Sequence, residues 1–154
     1  MSRVLLDTNI LLRLASPLSV DHLIAKAAIV ELARADVISC IVPQVLYEFW
    51  VVATRPLTAN GLGWSASTAE RTILEFIQDY QLLKDERGVF THWQSLESTY
   101  RVAGKNAHDA RLVAAMNRHG IERILTFNGP DFHRYSGVEV ISPADVSSGR
   151  VKHN

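Results

Sequence analysis

The apolar run Val4-Leu5-Leu6 stops at a carboxylate, Asp7. A run of this kind suits a buried strand, and such a strand delivers an acid at its carboxyl end only where a turn, a metal or a substrate meets it. Three similar runs follow at Val37 to Ile41, Ile124 to Phe127 and Val138 to Ile141. Longer stretches with helical spacing separate them. Strands divided by helices point to an α/β chain with a parallel sheet covered on both faces.

The helices are bounded by their own signals. Asn9 to Ala15 reads as a short helix stopped by Ser16-Pro17. Ser19 reads as the N-cap of a helix to about Ala35, with Val20, Leu23, Ala27 and Val30 as its apolar stripe. Pro43 at N1 opens a helix to Thr54. Residues 55–65 form a loop rich in turn formers. Ser67 opens a helix through Ile77 or Tyr80, Leu82-Leu83 suggests a minor strand, and Val89 to Arg101 a further helix. Asn106 to His119 is a helix with Gly120 at its C′ position. One domain over 1–146 and a loose tail over 147–154 account for the chain.

Composition removes several functional classes. The 16 Lys+Arg balance the 16 Asp+Glu, which argues against a DNA-wrapping or polybasic membrane protein. One cysteine, Cys40, allows no internal disulfide framework and reads as a small buried hydrophobe. No stretch resembles a signal peptide or a membrane span, so the cytoplasm is the expected location.

Chemistry resides in the acids. Ligands of open parallel sheets bind beyond the carboxyl ends of the strands. Asp7 lies at one such end, and Asn128 and Asp131 lie just past another. On the helix from Asn106, Asp109 shares a face with Leu112, Val113 and Met116. It therefore points inward, either as a first-turn acid favoured by the helix dipole or as a site residue. Glu48 sits at the edge of the apolar arc made by Val45, Phe49 and Val52, where a boundary acid and a ligand are both reasonable.

Asp7, Glu48 and Asp109 together are hard oxygen donors from three elements. With no Cys/His cluster, structural zinc is not indicated, and Mg²⁺ or Mn²⁺ suits the set. Such a site supports phosphodiester hydrolysis. No Walker loop and no Ser-His-Asp or Cys-His spacing occurs. Trp50 and Trp93 read as core, and Trp64, in the loop, as the better RNA or partner contact. For Arg13, Arg55 and Arg111, a solvated surface role outweighs a phosphate contact.

The residues also resemble a family. Leu5-Leu6-Asp7-Thr8-Asn9, Val45-Leu46-Tyr47-Glu48-Phe49, Asn60-Gly61-Leu62-Gly63, His108 to Ala115 and Leu125 to Phe132 occur in the order seen in PIN domains, most closely the VapC-type toxin ribonucleases. The resemblance implies a single PIN-like domain, a central parallel sheet of four to five strands flanked by helices, and a metal-dependent endoribonuclease acting on RNA. Asp7, Glu48 and Asp109 match its acids, as both catalytic and metal-binding residues. Many members carry a fourth acid where this chain has Asn128; in a variant pattern, Thr-x-Asn-x-x-Asp-Phe, Asp131 takes that place. Asp131 also suits the start of a turn or short helix beside Pro130. Thr8 and Asn9 would support Asp7, or serve as turn and N-cap residues. The likeness further implies a cognate antitoxin blocking the acidic pocket and a homodimer. The helices at 19–35 and 67–80 are candidate docking surfaces, although core burial explains them equally. Which residues bind substrate is unknown from sequence. Two other readings stand beside this one. One is a non-catalytic PIN-like module that binds RNA or protein. The other is a haloacid-dehalogenase-like phosphatase, which lacks its second acid because Asn9 stands there.

Overall fold

A computed structural model of the chain describes residues 2–150. Five strands, β1 (Arg3–Leu6), β2 (Ile38–Ile41), β3 (Gln81–Leu82), β4 (Arg123–Leu125) and β5 (Glu139–Ile141), form one sheet in the order β3-β2-β1-β4-β5. Every pairing is parallel. Strand β1 is central and completely enclosed from Val4 to Leu6, which is why its sequence runs apolar without alternation.

The helices are α1 (Thr8–Leu14), α2 (His22–Arg34), α3 (Pro43–Thr54), α4 (Ala66–Asp79), α5 (Arg87–Tyr100), α6 (Asn106–His119) and α7 (Pro143–Ser147). Short 3₁₀ turns occupy Leu57–Ala59, inside the stretch expected to be a loop, and Gly129–Asp131, where Asp131 suited a turn or short helix beside Pro130. Helix α7 has no counterpart in the sequence reading. It is a five-residue helix whose signal is its cap: Pro143 stands at N1 and Ser142 Oγ accepts from the Asp145 N–H. The tail expected from 147 starts as the end of this helix, and the Arg150 N–H donates to the Asp145 carbonyl. Residues 151–154 lie outside the described residues.

Two caps differ from expectation. Ser65 rather than Ser67 caps α4, accepting from the Thr68 N–H at 3.2 Å. Ser19 does not cap α2; it accepts from the N–H of Asp21, which is the N-cap residue and makes no side-chain cap bond. A larger correction concerns the face of α2. Ala25, Ala28 and Leu32 are its buried residues. The expected stripe lies outward: Val20 is 90% and Leu23 74% exposed, with Ala27 and Val30 also in solvent. The helix is apolar on both sides, and two alanines let it approach α1, β2 and α7 more closely than the larger residues would. On α4, Phe76 is buried while Leu74 and Ile77 are exposed.

The turn after α3 needs glycine for contact rather than flexibility. A Cβ on Gly61 would stand 1.9 Å from the backbone oxygen of Arg55, so only glycine fits. This folds the loop back on α3 and seats Trp64 against Phe49, ring centroids 6.0 Å apart at 72°. Trp64 is thus a partly buried core neighbour instead of a loop-tip contact, and Trp50, expected in the core, is exposed. Cys40 is buried and free, and burial pushes its thiol up to about 11. No helix among the described residues is long and apolar enough to cross a membrane.

Candidate active site

The carboxyl ends of β1, β2 and β4 converge on one rim, and the acids gather there. Asp7 is the N-cap of α1, so the turn that ends β1 also fixes its carboxylate. Oδ1 accepts from the Thr8 N–H at 2.8 Å. Oδ2 accepts from the Thr126 hydroxyl at 2.7 Å and from Asn9 Nδ2 at 3.3 Å. Thr126 is 1% exposed and follows β4 directly. The Asn9 side chain spans the gap: its Nδ2 also donates to Thr126 Oγ1, and its Oδ1 accepts from the Phe127 N–H. Thr8 and Asn9 are therefore both helix-start residues and supports of the site.

Glu48, on the second turn of α3, is held at both oxygens. Thr8 Oγ1 donates to Oε2 at 2.7 Å, and Gln44 Nε2 donates to Oε1 at 2.8 Å. Gln44 lies one helical turn earlier and also donates to the His108 carbonyl at the start of α6. Its own Oε1 accepts from Arg111 Nη1 at 3.0 Å, and Arg111 pairs with Asp85 at 3.3 Å. A continuous chain of contacts thus runs from Asp7 through Thr8, Glu48 and Gln44 to Arg111.

Asp109 is half-buried in the first turn of α6, whose packed face carries Leu112, Val113 and Met116 as expected. His108 is exposed and contributes only its carbonyl to this network. Beyond β4, Asn128 Nδ2 donates to Asp131 Oδ2 at 2.6 Å, and the Asn128 N–H donates to Thr126 Oγ1. Asn128 faces its neighbour as a donor and steadies Asp131.

The acids feel one another. The Asp7 carboxyl is pushed up to about 6, first by burial. The Thr126 and Thr8 hydrogen bonds oppose this, and the charges of Glu48 and Asp131 add to it. Asp109 is also pushed up to about 6, by burial and then by the charges of Asp131, Asp7 and Glu48, with Lys105 pulling the other way. Burial raises the Tyr135 phenol too, Asp109 contributes to that rise, and its buried hydroxyl has no hydrogen-bond partner. Asp7 and Asp109, raised first by burial and then by the charges of their neighbours, call for positive charge.

Among the described residues, no three His, Cys, Asp or Glu side chains stand close enough as arranged to hold a metal ion. The donor chemistry nevertheless fits a hard divalent cation. The available donors are oxygens, they are already electrostatically coupled, and such ions bind through one or two carboxylates plus water and phosphate rather than a full protein cage.

Sequence reasoning brought forward Asp7, Glu48, Asp109 and Asp131, and the structure brings all four to one rim. It missed Thr126, Gln44 and Tyr135 as parts of the site, and it weighed Arg111 as a solvated surface residue where the structure ties it to Gln44 and Asp85. Thr126 had a legible signal, a hydroxyl closing an apolar strand parallel to the one that ends in Asp7. Gln44 had another, its i,i+4 spacing to Glu48.

Comparison with known proteins agrees with this geometry. The PIN domain family model matches residues 4–138. Ribonuclease VapC24 of Mycobacterium tuberculosis is 32% identical over 143 residues, covering 90% of this chain and 94% of that protein. Among solved structures, VapBC2 from Rickettsia felis, bound to a DNA fragment from the promoter, has a TM-score of 0.70 at 12% identity. That match spans 91% of this chain and 98% of the other. Mycobacterium tuberculosis VapC20, a Sarcin-Ricin loop cleaving toxin, has a TM-score of 0.60 at 16% identity, over 83% of this chain and 92% of the other. With its fold matched by solved structures, its acids on the rim where ligands of parallel sheets bind, and nearly its whole length matched in sequence, this chain belongs to the PIN domain family.

Proposed function

We propose that the chain is a divalent-metal-dependent endoribonuclease, the toxin of a toxin–antitoxin pair acting in the cytoplasm. The observation that carries this reading is the rim on which Asp7 and Asp109 are both raised to about 6, first by burial and then by the charges of neighbouring carboxylates. Mg²⁺ or Mn²⁺ would be held mainly by Asp7 and Asp109, with Glu48 and Asp131 completing the negative field. When bound, such a cation neutralises phosphate charge and makes water a stronger nucleophile near neutral pH. The chain's own residues do the rest. Thr126, Asn9 and the Thr8 N–H fix the Asp7 oxygens. Glu48, fixed by Thr8 and Gln44, orients the attacking water and receives its proton as the water oxygen bonds to phosphorus; the ester phosphorus–oxygen bond of the RNA breaks and the departing ribose oxygen takes a proton from solvent.

The names of the relatives support the same reading: one is a ribonuclease and another a Sarcin-Ricin loop cleaving toxin. A toxin–antitoxin complex from Klebsiella pneumoniae and DNA-bound VapBC from Salmonella typhimurium support an antitoxin partner. A homodimer is the assembly proposed with it. The exposed apolar side of α2 is available for such contacts. A haloacid-dehalogenase-like phosphatase is displaced by the family assignment, and Asn9 is committed to orienting Asp7 and Thr126.

The test is digestion of total RNA by purified protein supplied with Mg²⁺ or Mn²⁺, beside Asp109→Asn, with mapping of new ends. Discrete ends are expected from the wild type alone. Equal cleavage by Asp7→Asn would overturn the proposal. RNA binding without cleavage under any divalent ion would establish a non-catalytic module.

A further inference from the structure

A cavity of about 220 Å³ opens between the start of α5 and the flank of α6, lined by Asp85, Glu86, Val89, Phe90, Trp93 and Arg111. We infer that it is a nucleobase subsite, seating one base of the RNA strand beside the scissile phosphate. The inference rests on the ribonuclease reading and adds the part of the substrate that the acids do not contact.

Position comes first. Asp85, shortly after β3, pairs with Arg111 on the second turn of α6, the helix whose first turn carries Asp109. Arg111, in its wall, donates to Gln44, and Gln44 donates to Glu48. Two hydrogen bonds therefore separate the cavity wall from a carboxylate of the candidate active site. A strand with its phosphate at that carboxylate carries a neighbouring base to this wall.

The lining has the chemistry of a base rather than a phosphate. Phe90 is 60% exposed, unusual for so large an apolar ring. It is stacked on Trp93, one helical turn away, at 6.0 Å and 22°. Trp93 is itself fixed by donation of its Nε1–H to the Ala107 carbonyl. The pair is a braced aromatic platform with an open face, and base–aromatic stacking tolerates any base. Both acids of the lining are neutralised, Asp85 by Arg111 and Glu86 by Arg118 at 2.8 Å. No uncompensated charge is left to repel the strand or draw its phosphates inward. Arg111 and Asp85 place a donor and an acceptor at the rim of a flat apolar slot, which matches the edge of a heteroaromatic ring. The volume is below that of pockets for drug-sized ligands and suits one ring system.

The test uses a labelled, mixed-sequence single-stranded RNA oligonucleotide. Its dissociation constant is measured by fluorescence anisotropy in the cleavage-deficient Asp109→Asn background with Mg²⁺ present. Phe90→Ala should weaken binding by about 5- to 100-fold, the range expected for losing one stacked base. Phe90→Trp should restore it. In the otherwise wild-type chain, Phe90→Ala should raise KM for RNA cleavage. Unchanged affinity and KM in Phe90→Ala, while the wild type cleaves and Asp7→Asn does not, overturns the subsite and leaves the nuclease standing. A wild type that binds RNA through Phe90 but cleaves none overturns the nuclease and keeps the subsite. A wild type that neither binds nor cleaves overturns both. A change of oligomeric state in sedimentation, with RNA affinity intact, identifies Phe90 as a protein contact and also overturns the subsite.

Discussion

Asp7 and Asp109 reach the same elevated pKa, about 6, in different surroundings. Asp7 is clamped by a main-chain N–H, a hydroxyl and an amide. Asp109 is governed by burial and by the charge of its neighbours. One acid is positioned before any ligand arrives. The other carries a burial penalty and a repulsion that a cation can offset. A site of this design keeps its geometry when empty and gains stability when filled, so the two acids should differ sharply under perturbation.

In catalysis they should not differ. Asp7→Asn and Asp109→Asn should each lower kcat/KM for RNA cleavage by about a thousandfold, several kcal/mol of lost charge stabilisation at the phosphate. Chelation of divalent ions should do the same to the wild type. Initial rates on a mapped RNA site measure both, and a variant retaining a tenth of wild-type activity would remove its acid from the proposed pair.

The next effect is on stability against pH. Asp7 moves from 3.8 to about 6 on folding, so the native state holds its proton more tightly than the unfolded chain. Between those values the folded protein binds more protons, and stability must fall as pH rises. The contribution is fully present below pH 3.8 and lost by the time pH passes 6. For Asp7 this amounts to about 3 kcal/mol. Asp109 acts in the same direction with a smaller weight, because it is partly exposed to solvent that screens its neighbours. Denaturation of metal-free protein across this range should show the decline, Asp7→Asn should flatten most of it, and added Mg²⁺ should reverse it at neutral pH. An Asp7→Asn profile parallel to that of the wild type would assign the decline to other groups.

The same contrast explains what was legible in the sequence. Asp7 announced itself because a buried strand ending in an acid breaks the local pattern. Asp109 did so because an acid on an apolar helical stripe breaks the helical one. The parallel sheet followed from the spacing of Val4-Leu5-Leu6, Val37 to Ile41 and Ile124 to Phe127, and the five strands confirm it. The face of α2 was not legible, since Val20, Leu23 and Val30 compete with Ala25, Ala28 and Leu32 and periodicity cannot say which face meets the sheet. The roles of Gln44 and Arg111 were legible only in part. The i,i+4 spacing joins Gln44 to Glu48, but the rest of their meaning depends on groups distant in the chain, the His108 carbonyl and Asp85.

Removing one clamp tests the Asp7 side of the comparison. Thr126→Val deletes the hydroxyl donor to a buried carboxylate while keeping the shape, and should cost about 1–3 kcal/mol at neutral pH. It should also raise the Asp7 pKa further, since that hydrogen bond is the largest influence holding it down. The acid limb of the activity profile should therefore move to higher pH. A loss of stability with an unmoved acid limb would mean that Thr126 packs the rim without setting the charge on Asp7.

The smallest effect has the opposite sign. Asp109→Asn is nearly isosteric and removes a charge that Asp131, Asp7 and Glu48 all oppose. In metal-free protein near neutral pH it should stabilise the fold, by less than about 1 kcal/mol because the group is partly exposed. Asp7→Asn should gain less or lose, since its new amide must face Thr126 and Asn9, both donors to the native oxygen. With Mg²⁺ in excess the order should invert, because the wild type gains the binding energy that Asp109→Asn has lost. Urea midpoints with and without Mg²⁺ give the sign directly. A metal-free Asp109→Asn less stable than the wild type would show that Asp109 is held by contacts rather than by repulsion, and the distinction between the two acids would collapse.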